Sequence, residues 1–274
     1  MNKTWLITGT SSGLGRLMTE KLLQRGDRVI ATLRQVEKLH DLRMRYGEQL
    51  LPMPLELTDS AGIRAAVADA FAWAGRIDVV VSNAGYGLFG AAEELSDDQI
   101  ARQLATNLTG SVQLIRAVLP FLRAQGGGRI VQVSSEGGQI AYPNFSLYHA
   151  TKWGIEGFIE AVAQEVAAFG IDFIIVEPGP TGTQFAASLD QADALPCYEN
   201  TASGRMRQAL ASGEFKITGD AAKSVDEMIA CADEPQPPLR LPLGSAAYSN
   251  IHKALSDRLR ALEAVKRRAG AADA

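Results

Sequence analysis

Seven short apolar runs alternate along this chain with longer Ala- and Leu-rich segments of helical period, and that alternation restricts its architecture more than any other feature. The runs are Trp5–Thr8, Arg28–Thr32, Leu50–Leu57, Asp78–Val81, Arg129–Val133, Phe173–Val176 and Leu239–Leu243. Helical patterns lie near 13–25, 35–45, 60–74, 97–124, 147–168 and 220–232. Apolar strands separated by helices imply βαβ units, hence a parallel sheet covered on both faces. About seven strands in this order predict one doubly wound α/β domain over residues 1–274. No internal repeat, low-complexity tract or Pro/Gly/Ser linker marks a second domain. Residues 180–218 interrupt the last unit with mixed small and polar residues and a weak helical patch near 201–212. An insertion there, at the carboxyl edge of the sheet, is expected to be a substrate lid. The tail from Ser245 reads as a helix with a frayed end, and Lys266-Arg267-Arg268 as its solvated terminus.

The ends of the runs carry the chemistry. The first run leads into Thr8-Gly9-Thr10-Ser11-Ser12-Gly13-Leu14-Gly15 and then a helix. This is neither G-x-G-x-x-G nor a phosphate loop ending in Gly-Lys. It shares their physics: glycines permit a tight turn, and a helix N-terminus offers free N–H groups to a pyrophosphate. An acid about 20 positions past such a loop would hold a ribose 2′-hydroxyl. Here the second strand ends in Leu33-Arg34-Gln35, and a guanidinium there can pair with a 2′-phosphate. The expected cofactor is therefore NADP(H), with NAD(H) as the alternative.

Tyr148 and Lys152 are four positions apart at the start of a long helical segment, so phenol and ammonium share one face. Ser135 lies at the carboxyl end of the fifth run, the edge where such sheets bind ligands. A free tyrosine titrates near 10, so poising it near neutrality takes a shift of about three units, or roughly 4 kcal/mol. One ammonium about 4 Å away at an effective dielectric near 20 supplies approximately that much. Lys152 is expected to lower the Tyr148 pKa in this way.

With these motifs in order, the chain resembles the short-chain dehydrogenase/reductase family, whose fold is a Rossmann-type doubly wound sheet. The resemblance rests on the Gly9-x-x-x-Gly13-x-Gly15 loop, Asn83-Ala84-Gly85, Asn107, Ser135 with Tyr148-x-x-x-Lys152, and Pro178-Gly179 running to Thr183. Together they span about residues 4 to 185. Arg34 after the neutral Leu33 is similar to the NADP(H)-using ketosteroid-type reductases. The resemblance implies that Tyr148 exchanges a proton with a carbonyl oxygen and that Ser135 polarises that oxygen. It implies that Lys152 binds ribose hydroxyls and stabilises the tyrosinate, and that Asn107 holds a water in a proton relay behind it. Cofactor contacts would come from Gly9, Ser11, Ser12, Gly13, Leu14, Gly15, Leu33, Arg34, Glu56, Leu57, Asn83, Ala84, Gly85, Tyr148, Lys152, Pro178, Gly179, Thr181 and Thr183. Glu56 stands near the place where many relatives hold Asp against adenine, and Ser82 replaces the first Asn of an Asn-Asn-Ala-Gly pattern. The resemblance also suggests a homodimer or homotetramer.

The loops around this centre offer Tyr86, Phe89, Tyr142, Phe145 and Phe185, with Gln139 and Asn144 as polar points and no Arg or Lys. That set predicts an apolar ketone or aldehyde, or the matching secondary alcohol, as substrate. His149 is expected to be a helix-face residue pointing away. The rival functions are an NAD-dependent alcohol dehydrogenase on the same fold and a non-catalytic NADP(H)-binding sensor or scaffold. Retention of Ser135, Tyr148, Lys152 and Asn107 argues against the sensor.

Bulk properties remove other classes. Net charge is −4, which speaks against a sequence-wide nucleic-acid-binding role. Cys197 and Cys231 are too far apart for a paired motif and read as free thiols in a reducing cytoplasm. Three scattered histidines argue against zinc. No run approaches the roughly 18 apolar residues of a membrane helix, and the N-terminus lacks a signal peptide. A cytoplasmic location follows as the expectation.

Overall fold

In the computed structural model, which describes residues 2–214 and 216–271, the apolar runs form strands β1 (Thr4–Thr8), β2 (Arg28–Leu33), β3 (Leu50–Pro54), β4 (Val79–Ser82), β5 (Gly128–Val133), β6 (Ile171–Pro178) and β7 (Arg240–Leu243). They lie in the order β3-β2-β1-β4-β5-β6-β7. Every pair is parallel, with Ile7 opposite Ala31 on one side and Val81 on the other. The order reverses between β1 and β4, which opens a crevice beyond their carboxyl ends.

The period of two along each strand sorts its side chains into two cores. Trp5 and Ile7 join Met18 and Leu22 of α1 (Gly13–Arg25) and Met228 of α8 (Ala221–Asp233). Leu6 joins Ile63 of α3 (Ser60–Ala74), Leu114 of α5 (Ser111–Ala124) and Ile155 of α6 (Ser146–Val166). Burial on both faces explains why the strands read as continuous apolar runs. Four further helices are α2 (His40–Tyr46), α4 (Asp97–Gln103), α7 (Ala202–Ser212) and α9 (Ser245–Ala264), with a short α10 (Lys266–Gly270) after the last. Among the described residues no helix is long and apolar enough to cross a membrane.

Three expectations need correction. The third strand ends at Pro54 rather than Leu57: the Glu56 side chain accepts from Thr58 N at 3.1 Å and its carbonyl accepts from Asp59 N at 3.1 Å, turning the chain into a loop. The helix expected over 97–124 is broken by a π-helical turn, Leu104–Gly110. Asn107 is drawn out of register there by two bonds to the Tyr86 backbone, and Gly110 lies so close to Leu57 that a Cβ would meet its carbonyl at 2.7 Å. The segment 35–45 begins as a 3-10 turn, Val36–Leu39, before α2.

The insertion 180–218 is fastened to the body. Its short strand Asp190–Gln191 pairs with Leu88–Phe89, and Glu94 accepts from Leu195 N at 2.9 Å and pairs with Arg207 at 2.8 Å. The basic Lys266-Arg267-Arg268 cluster is exposed on α10, and the end of the expected frayed tail, 272–274, lies outside the described residues.

Candidate active site

A cleft of about 950 Å³ runs along the carboxyl edge of the sheet. The loop after β1 forms one wall. Gly9 and Gly13 have φ of +72° and +57°, which favour glycine, and a Cβ on Gly9 would meet Ala84 Cα at 2.7 Å. Ser12 caps α1 in extended conformation without a side-chain capping bond, so the N–H groups of the first turn remain for a ligand. Gly15 stands behind the wall, not in it. A Cβ there would meet the Gly9 carbonyl at 2.4 Å and Asn83 Nδ2 at 2.6 Å. Asn83 lines the cleft but spends its amide on the Thr8 and Gly9 carbonyls, at 2.8 and 3.2 Å, clamping β1 to β4.

The same cleft is lined by Gly9, Ser11, Ser12, Gly13, Leu14, Leu33, Arg34, Glu56, Leu57, Asn83, Ala84, Gly85, Tyr148, Lys152, Pro178, Gly179, Thr181 and Thr183. The sequence named all of these; among those it missed is Lys38, exposed in the 3-10 turn Val36–Leu39 that follows the exposed Arg34. This donor set suits a dinucleotide: a glycine cradle and free helix N–H groups for a pyrophosphate, with the cations Arg34 and Lys38 lining the same cleft just after β2. Glu56 faces the same end, in the groove with Arg34 and Asp59.

At the other end stand Ser135, Tyr148 and Lys152. Ser135 is extended at the mouth of β5, and its Oγ accepts from Gly137 N at 3.0 Å. Tyr148 and Lys152 lie on the first turns of α6. Lys152 is buried, donates to the Val133 carbonyl at 3.0 Å, and places Nζ 5.5 Å from the centre of the Tyr148 ring. Burial lowers its pKa to about 8, against the opposing pull of Glu156 one turn along. Tyr148 departs from expectation. Burial pushes its phenol up to about 12, a hydrogen bond with Ser135 works the other way, and Glu136 adds to the rise. Lys152 does not bring the phenol towards neutrality as expected: burial outweighs its charge, and its ammonium donates to the Val133 carbonyl with Nζ 5.5 Å from the ring centre. Asn107 lies outside the cleft lining, its amide committed to Tyr86 O at 2.7 Å and Tyr86 N at 3.1 Å. Its main-chain carbonyl accepts from Ser111 Oγ at 3.1 Å.

His149 does not point away. It is buried between the turn after Ser135 and the next loop, with Nδ1 2.8 Å from the Gly137 carbonyl and Nε2 accepting from Tyr142 N at 2.9 Å. Those partners require the proton on Nδ1, and burial lowers its pKa. It braces the site and has no nitrogen left for substrate.

Tyr86, Tyr142, Phe145 and Phe185 line the cleft as expected, and Phe185 packs 5.5 Å from Tyr148, ring centre to ring centre. Three expected residues do not. Phe89 is buried behind Phe145, Gln139 donates to Glu177 at 2.7 Å, and Asn144 donates to Ser203 O at 2.9 Å. The lining also includes Arg102, contrary to the expected absence of cations, and it is paired to Asp190 at 3.1 Å.

Behind Lys152 lies a buried ionic cluster. Arg240 bridges Glu156 and Glu177 and reaches Glu160 at 2.7 Å, while Ser134 donates to Glu156. Burial and the neighbouring Glu156 raise the Glu177 pKa to about 7, with Arg240 opposing.

A family model described as short chain dehydrogenase matches residues 3–194. The chain is 39% identical over 255 residues to an oxidoreductase, BOA17, of Botryotinia fuckeliana, covering 93% of each. It is 34% identical over 203 residues to a 3-ketodihydrosphingosine reductase of Bacteroides thetaiotaomicron, covering 74% of this chain and 72% of that protein. A crystal structure of a short-chain dehydrogenase from Streptomyces avermitilis has a TM-score of 0.91 at 35% identity, covering 99% of this chain and 98% of that one.

Proposed function

The chain belongs to the short-chain dehydrogenase family and is an oxidoreductase, and from that premise we propose that it reduces an apolar ketone or aldehyde with NADP(H), or oxidises the matching secondary alcohol. The observation that carries this reading is the convergence of Ser135, Tyr148 and Lys152 in the cleft that holds the glycine loop. A nicotinamide dinucleotide, when bound, supplies or accepts the hydride. Ser135 Oγ–H donates to the carbonyl oxygen and orients it. Tyr148 Oη–H gives that oxygen its proton, and in the alcohol direction the tyrosinate takes one. The Lys152 ammonium stabilises the tyrosinate and offers its remaining N–H groups to ribose hydroxyls. A phenol held near 12 is protonated at neutral pH, the state that carbonyl reduction needs.

NADP(H) preference is supported by Arg34 and Lys38 together, with no acid at the end of β2. The apolar substrate is supported by Phe145 and Phe185 and by Leu189 and Leu210 from the insertion 180–218, which acts as the lid. The name of the Bacteroides relative likewise describes reduction of a keto compound. A homodimer or homotetramer fits the exposed Leu255, Leu259 and Leu262 of α9, and light scattering tests it. Function is tested with NADPH and NADH over ketone and aldehyde panels. Turnover of apolar carbonyls with NADPH is expected. Better efficiency with NADH would sink the cofactor assignment, and preference for phosphorylated substrates would sink the substrate class.

A further inference from the structure

Next to the reacting centre sits a buried charge with no counter-charge. Glu136 directly follows Ser135, is 2% exposed and lines the cleft. The other buried glutamates have guanidinium partners: Glu94 has Arg207, and Glu156 and Glu177 share Arg240. Glu136 forms no ion pair among the described residues. Its partners are neutral, with Tyr142 Oη donating to Oε1 at 2.9 Å and Asn250 Nδ2 donating to Oε2 at 3.0 Å.

Buried charges are ordinarily paired, because neutral donors offset only part of the desolvation cost. A carboxylate accepts at about four lone-pair sites, and two of those on Glu136 are taken by side chains. Asn250 comes from α9, which packs on the turn Glu136–Gly138, so a distant element is used to hold this carboxylate in place. Tyr142 and Phe145 line the same cleft, and aromatic rings there are compatible with a cation.

We propose that Glu136 receives the ammonium group of the substrate, so that the carbonyl compound is an amino ketone or amino aldehyde, or the matching amino alcohol, with an apolar chain. This rests on the carbonyl reading above and narrows it. Ser135 and Glu136 both line the cleft, so one bound molecule can meet the first with its carbonyl and the second with its ammonium. The arrangement also couples recognition to proton transfer: Glu136 adds to the upward push on Tyr148, and an ammonium at Glu136 cancels that contribution.

The test uses the full chain and amphiphiles that need no turnover. Binding of n-octylammonium, 1-octanol and octanoate is measured by calorimetry near neutral pH in the wild type and in Glu136→Gln. A hydrogen bond to a charged group contributes about 1.5–3 kcal/mol, so octylammonium should bind roughly tenfold to a hundredfold more tightly than octanol. Octanoate should bind most weakly, and the ammonium-to-alcohol ratio should fall towards one in Glu136→Gln. A wild type without preference for the ammonium overturns the proposal, and so does a preference that survives in Glu136→Gln. If that variant does not fold, the wild-type comparison of the three amphiphiles decides. Failure here is distinct from failure of the carbonyl reading, which NADPH consumption with octan-3-one tests separately.

Discussion

Lys152 Nζ stands 5.5 Å from the centre of the Tyr148 ring and donates to the Val133 carbonyl at 3.0 Å. The four-residue spacing on α6 brings the two groups together, while the end of β5 decides which way the ammonium turns. The charge of Lys152 therefore depends on its wider surroundings. Burial lowers its pKa to about 8, and Glu156 is the group that opposes this. Removing that carboxylate lets the ammonium lose its proton at lower pH. Glu156→Gln should move the alkaline limb of the kcat/KM profile for reduction towards neutrality. An unmoved limb would show that Glu156 has no hold on Lys152.

Cofactor choice is assigned to two cations. Arg34→Leu removes a charge-assisted contact of about 1.5–3 kcal/mol, so the NADPH-to-NADH efficiency ratio should fall about tenfold or more. Lys38→Ala should act in the same direction. Steady-state kinetics with both cofactors check this, and an unchanged ratio in both variants refutes it.

Gly9 is constrained twice, by a φ of +72° and by Ala84 Cα at 2.7 Å from any added Cβ. Gly9→Ala should cost roughly 1–2 kcal/mol for handedness alone and further stability as β4 is pushed from β1. Thermal unfolding should show a lower Tm, and NADPH affinity should fall with it. A wild-type Tm and affinity would contradict the close packing of Gly9 on Ala84.

Glu177 links stability to pH. Its carboxyl is raised from the usual 4.5 to about 7 by burial and by Glu156. Between those values the folded protein keeps a proton that the unfolded chain has released. Stability therefore falls as pH rises through this window, is fully present below it, and levels off above it. Glu177→Gln should lose this component, so its Tm should fall less than the wild type's between pH 5 and pH 7. Parallel Tm profiles would mean that Glu177 titrates near its ordinary value.

Much of the fold was readable because burial on both sheet faces writes each strand as an apolar run, Trp5–Thr8 being the clearest. The glycine loop and the Tyr148–Lys152 pair were readable because local geometry alone demands those spacings. What escaped depends on contacts far apart in the chain. The π-helical turn at Asn107 is set by Tyr86, 21 positions earlier. His149 was misjudged because Gly137 and Tyr142 close around it. Glu136 gave no signal beyond its place after Ser135, since its buried setting is completed by Asn250, 114 positions away. The direction of the Tyr148 shift was missed because burial, absent from a spacing argument, outweighs one nearby ammonium.

Tyr148 is assigned the delivery of the proton in an NADPH-dependent carbonyl reduction. This assignment is tested most directly by following NADPH consumption with an apolar ketone panel in the wild type and Tyr148→Phe, with NADPH affinity measured in both. Turnover is expected in the wild type, and in Tyr148→Phe a loss of turnover with cofactor affinity retained. Turnover persisting in Tyr148→Phe, or no NADPH consumption by the wild type with any carbonyl, would contradict it.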